Sequence, residues 1–456
     1  MSDRSRFDLT HGGILSRLLL VAVPIMGTQL LQMTFNLTDM FWLGRLSSVA
    51  VAATGTGGMY MWLSVSLMMM GSMGASIGVA QNLGRRDIAA ARSYSQTALL
   101  IGIVLGVIYG GVIVTCSRFL VSFFALEASV AEDAAIYLAI CGWGVPITFI
   151  SSAITATFNA SGNSRVALYI NAVGLIVNVI LDPVLIFNFG MGVAGAAWAT
   201  VFSQVSVCLL FLWAIKRYRE RPFVSYSYFT APDWVKIKQI VKWSTPVVLE
   251  NALFTSLAML TTRLIATFGT DGVAVGRIGS QIESLSWLIA GGFGSALTAF
   301  VGQNFGAGKW SRIHSSFRLS AAAMTVWGGV VMTGLLLFGK QLFTIFIPGE
   351  EAIIALGAVY LDILAYCAIA NCIEGVAAGT FRGLGRTLPP SVISIASNLF
   401  RVVAAYVTAW LGYGLIGIWY VITAANIIRG LAMIAWYLKS SRSMPREDRE
   451  LAAVEI

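Results

Sequence analysis

The sequence predicts an all-α integral membrane protein with twelve transmembrane helices in two pseudo-symmetric six-helix bundles. Three observations predict it. The chain has 456 residues, of which 57% are hydrophobic and 11% charged, whereas a soluble globular protein carries about 25% charged residues. Apolar stretches of about 20 residues, each long enough to cross a hydrocarbon core about 30 Å thick, recur from end to end. The second half also repeats marks of the first at an offset near 222 residues. A barrel would read as short alternating segments between turns, so helices are the spanning element.

The first six spans are expected near Leu15–Leu43, Ser48–Ala80, Ser93–Cys116, Asp133–Phe158, Val166–Phe189 and Val193–Ile215. The next six follow near Gln239–Phe268, Gly272–Gln303, Ser315–Gly339, Ala352–Phe381, Leu388–Leu411 and Leu415–Leu438. Several exceed the minimum length, which predicts tilt or extension beyond the bilayer. This divides the chain into an N-lobe at 1–217, a cytoplasmic linker at 218–237, a C-lobe at 238–440 and a cytoplasmic tail at 441–456. The linker is basic and polar and contains Pro222 and Pro232.

The net charge of +9 is a topology signal. Of the 30 Lys and Arg, 23 fall at the termini and the even-numbered connections, four (Arg45, Arg118, Arg277, Lys340) in odd-numbered connections and three (Arg263, Arg401, Arg429) inside spans. Positive residues mark the cytoplasmic side, so a multi-pass protein of the inner (cytoplasmic) membrane with both termini cytoplasmic is expected. No nucleic-acid partner follows from this charge. The first apolar run is too long for a signal-peptide core and no small-residue cleavage site follows it, so it reads as span one. The five cysteines lie in or beside apolar helices without Cys-x-x-Cys spacing and read as small buried hydrophobes. His11 and His314 sit at helix edges, so no His-built metal site and no cofactor are expected.

Four echoes in one order define the repeat. Pro24 returns as Pro246, and Gln81-Asn-Leu-Gly-Arg85 returns as Gln303-Asn-Phe-Gly-Ala307. Phe158-Asn-Ala-Ser-Gly162 is answered by Phe381-Arg-Gly-Leu-Gly385, and Gly192-Val-Ala-Gly-Ala-Ala-Trp198 by Gly414-Leu-Ile-Gly-Ile-Trp-Tyr420. Six spans per half is an even number, so the repeats are parallel, as in transporters built from two such halves.

Ionisable residues inside spans are costly and mark functional candidates. Six acids qualify: Asp39, Asp182, Glu250, Glu283, Asp362 and Glu374. Carrying the first half onto the second sets Asp39 opposite Thr261, Asn178 opposite Arg401 and Asp182 opposite Ala405, so the halves share packing marks and differ in charge. Asn36 and Asp39 share one helix face, as do Asn178 and Asp182. Oxygen-rich groups on facing helices suit a hard cation such as sodium, and the same desolvated carboxylates suit a proton. The competing reading of Asp182 is that Asp-Pro ends or kinks a helix near the surface. Pro24 either hinges span one or sits statically near its start. Glu250, Glu283 and Glu374 are candidates for a second cation or substrate site, or for internal pairing with Arg263, Arg401 or Arg429. Phe35, Asn36 and Met69 are candidates for a substrate cavity, although Met and aromatic side chains equally suit helix packing.

Together these residues resemble the multidrug and toxic compound extrusion (MATE) family across essentially the whole chain. The resemblance is carried by Pro24 with Asn36-Leu-Thr-Asp39, Gln81-Asn-Leu-Gly84, Asn178-Val-Ile-Leu-Asp182-Pro183, and Gly190 through Thr200. It implies a V-shaped pair of bundles that exports cationic amphiphilic drugs or toxic metabolites in exchange for inward protons or sodium ions, as a functional monomer in the lipid bilayer. It further implies that Asp39, Asn178, Asp182 and Thr200 form the first-lobe cation site, including any sodium. Other members of the family have a second-lobe site with an acid in span seven, matched by Glu250, and one in span ten, from which Glu374 is displaced by about two residues. A lipid-linked precursor flippase of the same superfamily would need a strongly cationic cavity, whereas six intramembrane acids face three arginines. A membrane-embedded enzyme of the prenyl-transferase kind would need an Asp-Asp-x-x-Asp motif, which does not occur. The protein is therefore expected to be an antiporter and not an enzyme.

Overall fold

Apolar runs far longer than a bilayer is thick fold into long helices because lipid offers the backbone no other hydrogen-bond partner. A computed structural model of the chain describes residues 7–124, 126–217, 222–228, 231–347, 349–445 and 448. Parts of the predicted linker and most of the predicted tail lie outside these residues. The first half comprises α1 (Ile14–Leu46), α2 (Ser48–Gly84), α3 (Ile88–Ser122), α4 (Ala128–Ala160), α5 (Ser164–Pro183) and α6 (Gly192–Arg217). The second comprises α7 (Trp234–Ala266), α8 (Thr270–Gly306), α9 (Trp310–Phe346), α10 (Glu351–Ala365), α11 (Ala368–Gly383), α12 (Leu388–Trp410) and α13 (Gly414–Arg442). Eleven of these are long and apolar enough to cross a membrane, and the bent pair α10–α11 makes a twelfth. The predicted tenth span is therefore broken: α10 and α11 meet at 47°.

That break has no proline. Its counterpart α4 contains Pro146 and stays continuous. At the break the carbonyl of Leu364 accepts from the Cys367 N–H at 3.1 Å and from its thiol at 3.1 Å. The amides of Asn371 and Asn426 then donate to the Cys367 sulfur. Local polar side chains thus replace the helix bonds that the bend removes.

The repeat is written in the backbone as well as the sequence. The α2 end is closed by Arg85 N–H to Gln81 O and Asp87 N–H to Asn82 O, and the α8 end by Ala307 N–H to Gln303 O and Lys309 N–H to Asn304 O. In both, the asparagine amide donates one turn back at 2.8 Å, to Gly78 and to Phe300. The positions that need a left-handed backbone, Gly162 (φ 88) and Gly385 (φ 73), also correspond.

The described chain divides into two compact units. The first takes Met1–Gly12 and Arg17–Val248, the second Gly13–Ser16 and Leu249–Ile456. The boundary falls inside α7, two residues after Pro246. The earlier part of α7 belongs to the first unit because Ile240 is buried against Gly74, Ala75, Ala98 and Ala156. Ser244 Oγ donates to the Met70 carbonyl at 2.9 Å, and Val247 packs on Met73 and Ile77.

In lipid no hydrophobic force draws helices together, so small residues that let backbones touch carry the packing. In the first unit Gly106 and Gly110 of α3 sit against Pro146 and the Gly142 carbonyl of α4. In the second, Gly379 of α11 meets the backbone of Gly294 in α8, and Gly328 of α9 meets Ile369. A methyl at position 379 would overlap that backbone. Gly379→Ala is expected to cost about 1–3 kcal/mol by overpacking. Gly329→Ala, whose methyl would meet nothing within 4 Å, should leave the melting temperature in detergent unchanged, and equal melts for the two variants would refute this packing.

The described part of the linker is docked on the first unit. Phe223, 4% exposed, lies 4.5 Å from the Phe158 ring in a core shared with Leu99 and Phe211. The Tyr226 hydroxyl pairs with Ser95 at 2.9 Å, and Gln96 donates to the Ser227 carbonyl. Burial pushes the Tyr226 phenol up to about 12, against the opposing effect of the Ser95 hydrogen bond. The second unit has a parallel arrangement: Arg92 reaches the Ser225 carbonyl, and His314, its counterpart 222 positions on, reaches the Pro445 carbonyl. Asp448 caps the start of α9 through the Ser311 N–H at 2.9 Å. Phe223→Ala is expected to destabilise the first unit by about 3 kcal/mol, measurable as a lowered melting temperature; an unchanged melt would show that the segment does not stay docked.

Candidate cation and substrate site

Three helices of the first unit bring their polar faces to one place. On α5 the residues Ile170, Gly174, Asn178 and Asp182 are buried at intervals of four, which sets them on one face. The i, i+4 spacing lets the Asn178 amide donate to Asp182 Oδ1 at 3.3 Å. Ser203 of α6 donates to the Gly174 carbonyl at 2.7 Å and fastens α6 to that face. From α6, Thr200 Oγ1 then reaches Asp39 Oδ2 of α1 at 3.4 Å. Both side-chain bonds to the carboxylates are long.

Asn178 and Asp182 are 0% exposed, and Asp39 and Thr200 are half-buried. Asp39 lies beside Asp182 and Asn178. No basic side chain among the described residues forms an ion pair with either acid. Three buried oxygens here, Asp39 Oδ1, Asn178 Oδ1 and Asp182 Oδ2, have no hydrogen-bond partner among the described residues. Hard cations take such oxygens as ligands, so the donor set fits a sodium ion as well as a proton.

Asp182 is fully buried, and Pro183 beside it is half-buried. Pro183 ends the α-helical pattern: a single π-helical turn follows at Val184–Asn188, closed by Phe189 N–H to Val184 O at 3.0 Å. Such turns often occur beside functional sites. Pro24 is buried within a continuous α1, and Thr28 Oγ1 donates to its carbonyl at 3.0 Å.

A cavity of about 230 Å³ opens beside Asp39 and Thr200. Phe35 and Asn36 line it; Met69 does not, and packs with Trp243 beside Met73, Ile77 and Val247. Its lining includes residues that sequence reading passed over, among them Gln32, Tyr137, Cys141, Asn171 and Gln204. Periodicity could have found two of them: Asn171 lies seven residues before Asn178, and Gln32 seven before Asp39, each two turns along the same face. Tyr137 and Cys141 come from α4, and no spacing in the sequence ties that helix to Asp39.

The second unit is organised differently. Glu374 of α11 forms an ion pair of 2.7 Å with Arg429 of α13, the two side chains being 15% and 4% exposed. Arg429 also lies 5.5 Å from the Trp287 ring. Glu250 accepts from the Ser391 hydroxyl at 2.8 Å. Glu283 of α8 is half-buried, with its Oε1 buried and unbonded. Asp362 and Arg263 are exposed and take no part in this cluster.

The MatE family model matches residues 24–184 and 246–407, once in each half. The chain belongs to the MatE family. A probable multidrug resistance protein NorM of Thermotoga maritima is 27% identical over 432 residues, covering 93% of this chain and 92% of that protein. A probable multidrug resistance protein YpnP of Bacillus subtilis is 28% identical over 417 residues, covering 90% and 92%. The solved structure of a multidrug resistance MATE family transporter in an outward-facing conformation superposes with a TM-score of 0.90. It is 21% identical and covers 96% of this chain and 98% of that one, a likeness of fold. This MatE-family chain is thus a multi-pass membrane transporter and not an enzyme.

Proposed function

We propose that this MatE-family protein is a secondary antiporter that exports cationic amphiphilic compounds in exchange for inward protons or sodium ions. The observation that supports it best is the pair of carboxylates, Asp39 and Asp182, buried side by side without a basic partner at the edge of the cavity. Like charges held this close repel by an amount on the order of a few kcal/mol at an effective dielectric of about 20. The pair therefore calls for one positive charge, a proton or a metal cation, with Asn178 and Thr200 as further ligands. Phe35 offers an apolar wall, and Gln32 and Asn36 offer amide groups, to an amphiphile held beside Asp39.

Coupling follows from the placement of these ligands on three helices. A cation between α1 and α5 changes the preferred packing of α1, α5 and α6, and it drives export only through unequal affinity for the two conformations. The distribution of Lys and Arg supports an inner-membrane location with both termini cytoplasmic. Dye uptake into everted vesicles, whose lumen stands for the cell exterior, tests the reading when driven in turn by a sodium gradient and a proton gradient. Uptake under at least one gradient is expected; dye movement indifferent to both would make the protein a facilitator and overturn antiport.

A further inference from the structure

The repeat translates the first unit's cavity onto a defined set of residues in the second. The offset is 222 for most helices and 223 where α10–α11 and α12 correspond to α4 and α5, as the ends of the two family matches also show. Gln32, Met61, Tyr137 and Val207 line the first cavity, and their counterparts are Phe254, Glu283, Tyr360 and Arg429. The correspondence is physical: Tyr137 rests on Gly57, and Tyr360 rests on Gly279, 222 positions later. Asn178, between the two carboxylates, corresponds to Arg401. Asp39 and Asp182 correspond to Thr261, 6% exposed, and Ala405, 0% exposed. The same place in the fold therefore exchanges two acids for Thr261 and Ala405 and gains Glu283 with the guanidiniums of Arg401 and Arg429.

The two arginines of this cluster differ in their partners. Arg429 is neutralised by Glu374. Arg401 is 9% exposed and, among the described residues, forms no ion pair and has a buried Nε without a hydrogen-bond partner. Its guanidinium lies 5.5 Å from the Phe254 ring, and Phe254 is itself 36% exposed. Tyr360 lies near both Arg401 and Glu283, yet those two do not pair with each other. A buried guanidinium without a carboxylate is costly in lipid, and its planar fork matches a carboxylate in shape and charge.

We propose that Arg401 forms a carboxylate-binding subsite in the second unit, with the Phe254 ring as its apolar wall. Building on the exporter reading above, this extends the substrates from simple cations to amphiphiles that also carry a free carboxylic acid. Arg401 is then a specificity-determining residue, and the first unit's carboxylates remain the cation site.

The test is equilibrium binding to the purified full-length protein, followed by fluorescence anisotropy and requiring no gradient. The probes are a xanthene dye with a free carboxylic acid and its methyl ester. Arg401→Gln is expected to weaken the acid dye by roughly tenfold or more, the factor carried by a charge-assisted hydrogen bond, and to leave the ester nearly unchanged. Arg401→Lys should retain most of the acid's affinity. In the wild type, benzoate should displace the acid dye and not the ester, a result that needs no variant to fold. Equal loss of both dyes, no loss of either, or indifference to benzoate would each overturn the proposal. In each of those outcomes the wild type would still bind the ester and expel dye under a gradient, whereas failure of the exporter reading would abolish the wild type's gradient-driven efflux.

Discussion

Asp182→Asn is expected to abolish gradient-driven efflux while leaving the protein folded. The substitution keeps the shape of the side chain and removes its charge at a position that is 0% exposed. A cation about 4 Å from a carboxylate gains roughly 4 kcal/mol at an effective dielectric of 20. Losing even most of that lowers cation occupancy by about a hundredfold or more, and with it the coupled flux. Stability should move the other way, because neutralising one of two adjacent buried acids removes repulsion within the pair. The melting temperature in detergent is therefore expected to stay level or rise. Asp39→Asn should behave alike in transport, since Asp39 shares the site and accepts from Thr200. Full efflux by either variant in everted vesicles under both sodium and proton gradients would remove these carboxylates from the mechanism.

Arg429→Ala is expected to produce the largest loss of stability in the second unit, about 3–5 kcal/mol. The ion pair with Glu374 is largely buried, the guanidinium being 4% and the carboxylate side chain 15% exposed, so removing the guanidinium strands a carboxylate that is mostly out of water. The Trp287 ring also loses its cation. Replacing both partners, Glu374→Gln with Arg429→Met, should recover most of the loss, because the cost lies in the uncompensated charge. A thermal-melt comparison of the single and double variants separates these cases. If Arg429→Ala alone melts like the wild type, Glu374 has another counter-charge and the pairing in α11–α13 is not what neutralises it.

Much of the candidate site was legible in the residues because helical periodicity is short-range. The Asn178–Asp182 and Asn36–Asp39 spacings predict shared faces, and extending them two turns back reaches Asn171 and Gln32. Periodicity says nothing about which helices face each other. Tyr137 and Cys141 of α4 were therefore invisible, as was the choice of Arg429 over Arg263 or Arg401 as the partner of Glu374. The docked linker was missed for a related reason: a basic, Pro-bearing segment reads as solvated, while burial of Phe223 and Tyr226 depends on a groove that α3, α4 and α6 create together. The break between α10 and α11 had no proline to announce it, and the proline in α4 made no break. Whether a helix bends is decided by which side chains can take up the freed carbonyls, here Cys367.

Sequence by itself determined the class of the protein, the number of spans, the duplication and the inventory of charges inside the membrane. These follow from local quantities: apolar length against bilayer thickness, and self-similarity along the chain. Tertiary structure alone decided which of those charges are neutralised. It leaves Asp39 and Asp182 together without a basic side chain among the described residues, closes Glu374 onto Arg429, and sets Arg401 against an aromatic ring. Charge pairing acts through space and falls off within a few ångströms, so only the folded arrangement of distant helices can choose the partners.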